Sequence, residues 1–215
     1  CLERSMTMNT IECYFPGDAA YRVGCEFAAA IYRDKLHMTI TRYPDILFIA
    51  SKAETPLACI GLNHSVHNVV FTEDPEIQEA IRKIPHGRSM GEQYLWASDH
   101  HTTLAMLLVS MFSSYASKQG IKNVLFTGTV SALRAVREIG AKPILLGPIK
   151  ESLLQEKDRK NCATWFRLYK GAQACVLPTQ QMERLNERML HTHAREYTLG
   201  PRLLHAFRQE ELEPA

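Results

Sequence analysis

Residues Thr102 to Gln119 carry Leu104, Leu107, Leu108, Met111, Phe112 and Tyr115 at i, i+3, i+4, i+7, i+8 and i+11, the period of one buried helical face. Gly120 stops that helix. Short apolar runs flank it: Met90 to Ser98 before, with Tyr94, Leu95 and Trp96, and Asn123 to Gly128 after. The alternation continues with a helix from about Val130 to Ile139, capped by Gly140, and a strand over Pro143 to Leu146. A chain in this order sets its strands into a sheet and lays helices across the faces.

The rest of the chain fits the same plan. Tyr21 to Lys35 places Val23, Phe27, Ala30, Ile31 and Tyr32 at helical spacing, and the stretch before Pro44 breaks the pattern. Asp45 to Ala50 and Pro56 to Leu62 form an antiparallel hairpin through a polar link. Pro75 to Lys83 is a short helix behind Glu73 and Asp74, ended by a loop through Pro85 and Gly87. Thr164 to Tyr169 and Ala174 to Leu177 are predicted as late strands, and Thr179 to Arg195 as an appended amphipathic helix marked by Met182, Leu185, Met189 and Leu190. The class is α/β or α+β, a mixed central sheet flanked by helices, with one domain over residues 1–178 and a helical extension over 179–215.

Composition narrows the function. With 215 residues, 46% of them hydrophobic, the chain buries a full core without metals or staples. Its 25 Lys and Arg against 23 Asp and Glu are too balanced for a surface built on binding nucleic acid. Apolar residues never run for the roughly 18 to 20 positions of a membrane helix, and the opening Cys1-Leu2-Glu3-Arg4 has no signal core. Six well-separated cysteines without a Cys-x-x-Cys pair read as reduced thiols, so a soluble cytoplasmic protein is expected. Phosphate-loop, dinucleotide, nucleophile-elbow and zincin motifs are all missing.

Reactive side chains concentrate where strands run into helices. Glu92, Trp96, Ser98, Asp99, His100 and His101 lead off one strand toward the long helix, where unpaired amides and the helix dipole favour ligands. The plain alternative is that Asp99 or Thr102 caps the helix and Trp96 is core. Adjacent histidines without a third ligand do not make a metal site, and none is expected. The second cluster is Thr127, Thr129, Ser131 and Arg134, whose hydroxyls and guanidinium suit a carbonyl and a carboxylate, or otherwise a helix cap and a solvated face. Trp165 serves either as core or as a ligand platform.

On those residues the chain resembles the thermostable hemolysin family, whose fold is similar to that of acyl-homoserine lactone (autoinducer) synthases and GNAT acyltransferases. The resemblance rests on Phe71 to Ile77, Gly91 to Ser98, Phe126 to Thr129 with Leu133 and Arg134, and Trp165 to Tyr169, in order and spacing, within about Tyr21 to Gln180. It implies an N-acyltransferase working from a pantetheine thioester, on an acyl carrier protein or coenzyme A, onto the amine of a small metabolite, with no tightly bound cofactor. In such folds two parallel strands splay to admit the pantetheine arm, here Glu92 to Ser98 beside Asn123 to Thr127. Glu92 is then the first candidate to orient the amine or take its proton, with Asp99 and His100 second. Thr127 and Thr129 meet the acyl carbonyl, Arg134 a substrate carboxylate, and Trp96, Ser98 and Trp165 line the pocket. Where relatives carry small residues at the helix start, this chain has Asp99-His100-His101-Thr102-Thr103, which crowds and repels a pyrophosphate and favours a carrier-borne arm. Two alternatives are a synthase that uses S-adenosylmethionine as the amine, and a non-catalytic module whose Met/Leu helix contacts a protein or membrane.

Overall fold

The computed structural model describes residues 9–98, 102–193 and 196–208. In chain order the elements are β1 (Asn9–Tyr14), α1 (Ala19–Leu36), β2 (Ile46–Lys52), β3 (Thr55–Asn63), α2 (Val69–Thr72), α3 (Pro75–Arg82), β4 (Met90–Ser98), α4 (Thr102–Lys118), β5 (Asn123–Gly128), α5 (Val130–Glu138), β6 (Ile144–Pro148), α6 (Glu156–Leu168), β7 (Gln173–Pro178), α7 (Gln180–His193), β8 (Tyr197–Leu199) and α8 (Pro201–Arg208), with a 3-10 turn at Glu151–Leu153. The strands form one mixed sheet in the order β6-β7-β5-β4-β3-β2-β1-β8.

Period-two alternation decides what each face buries. Ile46, Phe48, Ala50, Ile60, Leu62, Val124 and Phe126 turn to one face, against Leu104, Leu107, Leu108, Met111 and Phe112 of α4. Phe48 meets the rings of Phe112 and Tyr115 edge-on at 6.3 and 5.3 Å. The other face divides in two. Leu47, Ile49, Cys59, Leu95 and Ala97 pack under Cys25 and Ala28 of α1, while Leu125, Ala174 and Val176 pack under Val70, Phe71, Ile77 and Ile81. The division falls between β4 and β5.

Those two strands are parallel and pair only at Met90↔Asn123, Gly91↔Val124 and Glu92↔Leu125. Beyond that foot each turns to its other neighbour. Trp96, Ala97 and Ser98 oppose Ile60, Cys59 and Ala58 of β3, whereas Phe126, Thr127 and Gly128 oppose Cys175, Ala174 and Gln173 of β7. The β3–β4 register shifts between Ile60 and Leu62, so Gln93 to Trp96 spans one more residue than its partner segment. An inserted residue of this kind bends a strand and re-aims its groups. The result is a wedge that opens from Glu92 toward Ser98.

Several sequence expectations are corrected here. Thr164 to Tyr169 is not a strand, because α6 runs through it to Leu168. Its Cys162, Trp165, Phe166 and Tyr169 recur at i, i+3, i+4 and i+7, a helical stripe that the aromatic cluster disguised, and Glu156 and Asp158 sit in the first turn. Val23 is 42% exposed, so α1 buries the stripe through Gly24, Cys25 and Ala28 instead. The residues after 178 include a strand and a second helix besides α7. β8 pairs parallel with β1, and the Glu12 carboxylate accepts from the backbone N–H groups of Arg202 and Leu203 at 2.9 and 3.1 Å, fixing the start of α8. Met182 and Asn186 of α7 are buried, with Ser110 of α4 bonded to Asn186. Cys13, Cys25, Cys59, Cys162 and Cys175 are free thiols, and no helix among the described residues is long and apolar enough to cross a membrane.

Gly91 belongs to the paired foot of the wedge. A Cβ there would lie 2.8 Å from the Asn63 carbonyl oxygen, a backbone atom that cannot swing aside. Gly91→Ala is expected to cost about 1–3 kcal/mol of unfolding free energy, read from urea denaturation; an unchanged midpoint contradicts the tight foot.

Candidate functional site

A cleft of about 870 Å³ lies at the wedge, within the ~300–1,000 Å³ typical of small-molecule sites. One wall is β4, through Gln93, Tyr94, Trp96 and Ser98; the other is Thr127 of β5 with Thr129, Ser131 and Ala132 where α5 begins. The end of α1 and the segment after it, from Tyr32 to Arg42, form the rim. His67 to Val70 close the base, and Cys162, Trp165, Phe166 and Tyr169 of α6 cover one side. α6 is held there by Asn161, whose side chain accepts from Thr39 N–H at 2.8 Å and donates to Thr39 C=O at 2.9 Å.

The cleft brings together Trp96, Ser98, Thr127, Thr129 and Trp165. Thr129 lines it but also caps α5, its hydroxyl oxygen accepting from Ala132 N–H at 3.2 Å and lying 3.1 Å from the Ser131 hydroxyl. Trp165 stacks edge-on against Phe166, ring centroids 5.1 Å apart. Arg134 is not on the lining; its guanidinium pairs with Glu138 at 2.7 Å on the exposed side of α5. Asp99 and His100 lie outside the described residues.

Glu92 sits behind the lining, fully buried. One carboxylate oxygen accepts from the backbone N–H groups of His67 and Asn68 at 2.7 and 3.3 Å, which pins the base of the cleft to β4. The other oxygen faces the side-chain amide of Asn63, the residue opposite it in the β3–β4 register, which stabilises its charged form. Burial raises the Glu92 pKa above the ordinary carboxylate range, and this outweighs the two backbone N–H bonds, the charge of Arg42 and the Asn63 amide, which pull it down.

The sequence carries no functional signal for Tyr32, Arg42, His67 and Asp158, all on the lining. Tyr32 had been read as part of the apolar stripe of α1. Its hydroxyl instead lies 3.3 Å from both the N–H and the C=O of Trp96. Arg42 is within electrostatic reach of both Glu92 and Tyr94, and Asp158 of Tyr94 and Cys162. No local pattern marks these residues, since separate segments of the chain supply them.

No family model matches the chain, and no curated protein matches its sequence. Solved structures do match in fold. The chain superposes on BjaI, a CoA-dependent acyl-homoserine lactone synthase solved with SAM and isopentyl-CoA, with a TM-score of 0.59 and 16% identity over 93% of this chain and 99% of that one. MesI, another CoA-dependent acyl-homoserine lactone synthase, gives 0.56 and 12% over 89% and 99%. The synthase LasI gives 0.55 and 9% over 80% and 89%. The chain thus has the autoinducer-synthase fold, a likeness of architecture at these identities.

The buried carboxylate has a measurable signature. Because the folded-state pKa of Glu92 lies above its unfolded value, the folded protein holds that proton more tightly, and the resulting stability is lost as pH rises through the raised value. Glu92→Gln, which does not ionise, is expected to remove that part of the pH dependence of the melting temperature. Parallel profiles for the two proteins contradict a raised pKa.

Proposed function

We propose that the chain is an N-acyltransferase that moves an acyl group from a pantetheine thioester, borne by an acyl carrier protein or coenzyme A, to the amine of a small metabolite such as an amino acid or derivative. The observation that carries this reading is the wedge itself: parallel strands paired for three residues and then parted beside a large cleft. The fold likeness to acyl-homoserine lactone synthases and the resemblance of four motifs to the thermostable hemolysin family both support it.

The chemistry asks little of side chains. The amine nitrogen attacks the thioester carbonyl, a tetrahedral oxyanion forms, the C–S bond breaks, and the proton lost by the amine is passed on toward the departing thiolate or water. Backbone N–H groups of β4 and the Thr127 hydroxyl serve as the donors to that oxygen. Glu92 accepts the proton through a water, since its carboxylate does not itself reach the lining. Its raised pKa makes it a better base than an ordinary carboxylate once ionised. Trp96 and Trp165 supply apolar wall for the acyl chain. Arg42, which unlike Arg134 faces the cleft, holds the carboxylate of the amine substrate.

A second reading has S-adenosylmethionine as the amine, acylated and then closed to a lactone. The near full-length likeness to BjaI, itself solved with SAM, favours keeping it in the test. Incubation with acyl-CoA and acyl-carrier thioesters plus amino acids or S-adenosylmethionine distinguishes them. Amine-dependent thiol release is expected, and accompanying methylthioadenosine identifies the lactone route. No release from any donor overturns both readings and leaves a protein- or membrane-binding module.

Glu92→Gln and Thr127→Val are each expected to lower turnover by at least about tenfold with the fold retained; unchanged turnover in both removes the site assignment. In the unmutated protein kcat/KM falls as pH drops through the raised Glu92 value, and that acid limb disappears in Glu92→Gln. Arg42→Ala raises the KM of a carboxylate-bearing amine by about tenfold and leaves the thioester KM unchanged. Equal effects on both substrates contradict its placement.

A further inference from the structure

Strand β4 leaves backbone groups without a strand partner where it parts from β5. At Trp96 the N–H and C=O do not face β3, since both meet the hydroxyl of Tyr32, 64 residues away on α1. A single oxygen there accepts from one group and donates to the other, each at 3.3 Å. Protein hydrogen bonds to such groups are commonest near about 2.7–3.0 Å, so both contacts are long. One atom cannot sit at the best distance from two groups that a neighbouring strand would meet with two atoms. Unpaired strand edges recruit backbone-like partners, and an amide carries its donor and acceptor on separate atoms.

We propose that Tyr32 is a displaceable plug: its hydroxyl occupies the position on the β4 edge that an amide of the donor's pantetheine arm takes on binding, and the arm drives it out. This deepens the thioester reading and rests on it. The plug keeps the wedge from closing or collecting another strand while it is empty. It also ties donor binding to the cleft, because Tyr32, Tyr94 and Tyr169 all line it and both other tyrosines lie within electrostatic reach of Tyr32. Burial pushes the Tyr32 hydroxyl up to about 12, so it stays protonated and able to donate at neutral pH. Once displaced, the hydroxyl lies free in the cleft beside the arm. Tyr32 is thus a positioning residue, with no role in making or breaking a covalent bond.

Tyr32→Phe keeps the ring and removes the competitor. Calorimetric titration with S-acetylpantetheine is expected to show binding at least about threefold tighter than in the unmutated protein, with kcat not raised. A residue that merely braces β4 would give weaker or unchanged binding, and either result overturns the plug. In the unmutated protein with 13C-labelled tyrosine, saturation with the same thioester should move the Tyr32 Cζ resonance together with the Trp96 amide. Movement of the amide alone overturns the plug, and this measurement does not depend on the variant folding. If the unmutated protein and Tyr32→Phe both fail to bind S-acetylpantetheine, the thioester reading itself falls and the plug with it; equal binding by both removes the plug alone.

Discussion

The brevity of the β4–β5 ladder governs everything else in this molecule. Three residue pairs hold two parallel strands together at one end, and each strand is then claimed by its outer neighbour, β3 on one side and β7 on the other. Parallel pairing is slightly weaker per residue than antiparallel pairing, so the seam yields there rather than within the flanking antiparallel ladders. The extra residue between Gln93 and Trp96 turns β4 away at the point where pairing ends. A sheet that would otherwise be continuous thereby acquires an interior edge.

An interior edge is costly unless its groups are met, and the surrounding elements divide that task. On one face α4 bridges both halves, with Leu104, Leu107 and Leu108 in one core with residues of β2, β3 and β5. This keeps the wedge from becoming a hinge between two half-sheets. On the other face the helices part with the strands: α1 covers the β2-β3-β4 half and α2 and α3 the β5-β7 half. The cleft is what lies between them. Its base is fastened by the Glu92 carboxylate to the backbone of His67 and Asn68, and its side by Asn161 to Thr39. Fold and site are therefore built from the same contacts, and a change at the foot of the wedge reaches both.

How far the sequence revealed this follows from where each signal resides. β4 and β5 were legible to the residue, because apolar runs of strand length lie on either side of a helix with an unbroken 3.6-residue period. Thr127, Trp96 and Ser98 followed from the rule that ligands gather where strands run into helices, and all three line the cleft. α6 was hidden because Trp165 and Phe166 are residues that strands also favour, and its polar half gave no competing signal. β1 and β8 were missed: Asn9, Thr10 and Glu12 break any apolar run in β1, and β8 has only three residues. Tyr32 and Arg42 could not be found at all by local pattern. They reach the cleft because α1 and the segment after it lie beside β4, a tertiary fact that an amphipathic helix followed by a proline-broken loop does not encode.

The central claim is that the gap between β4 and β5 receives a pantetheine arm. A crystal structure of the protein with a non-transferable thioether analogue of an acyl phosphopantetheine tests it directly. The account predicts the arm lying between Gln93–Ser98 and Phe126–Gly128, one of its amides bonded to the backbone of Trp96, with the acyl end toward Trp165. An arm bound elsewhere, or strands zipped together from Glu92 to Ser98, would contradict it.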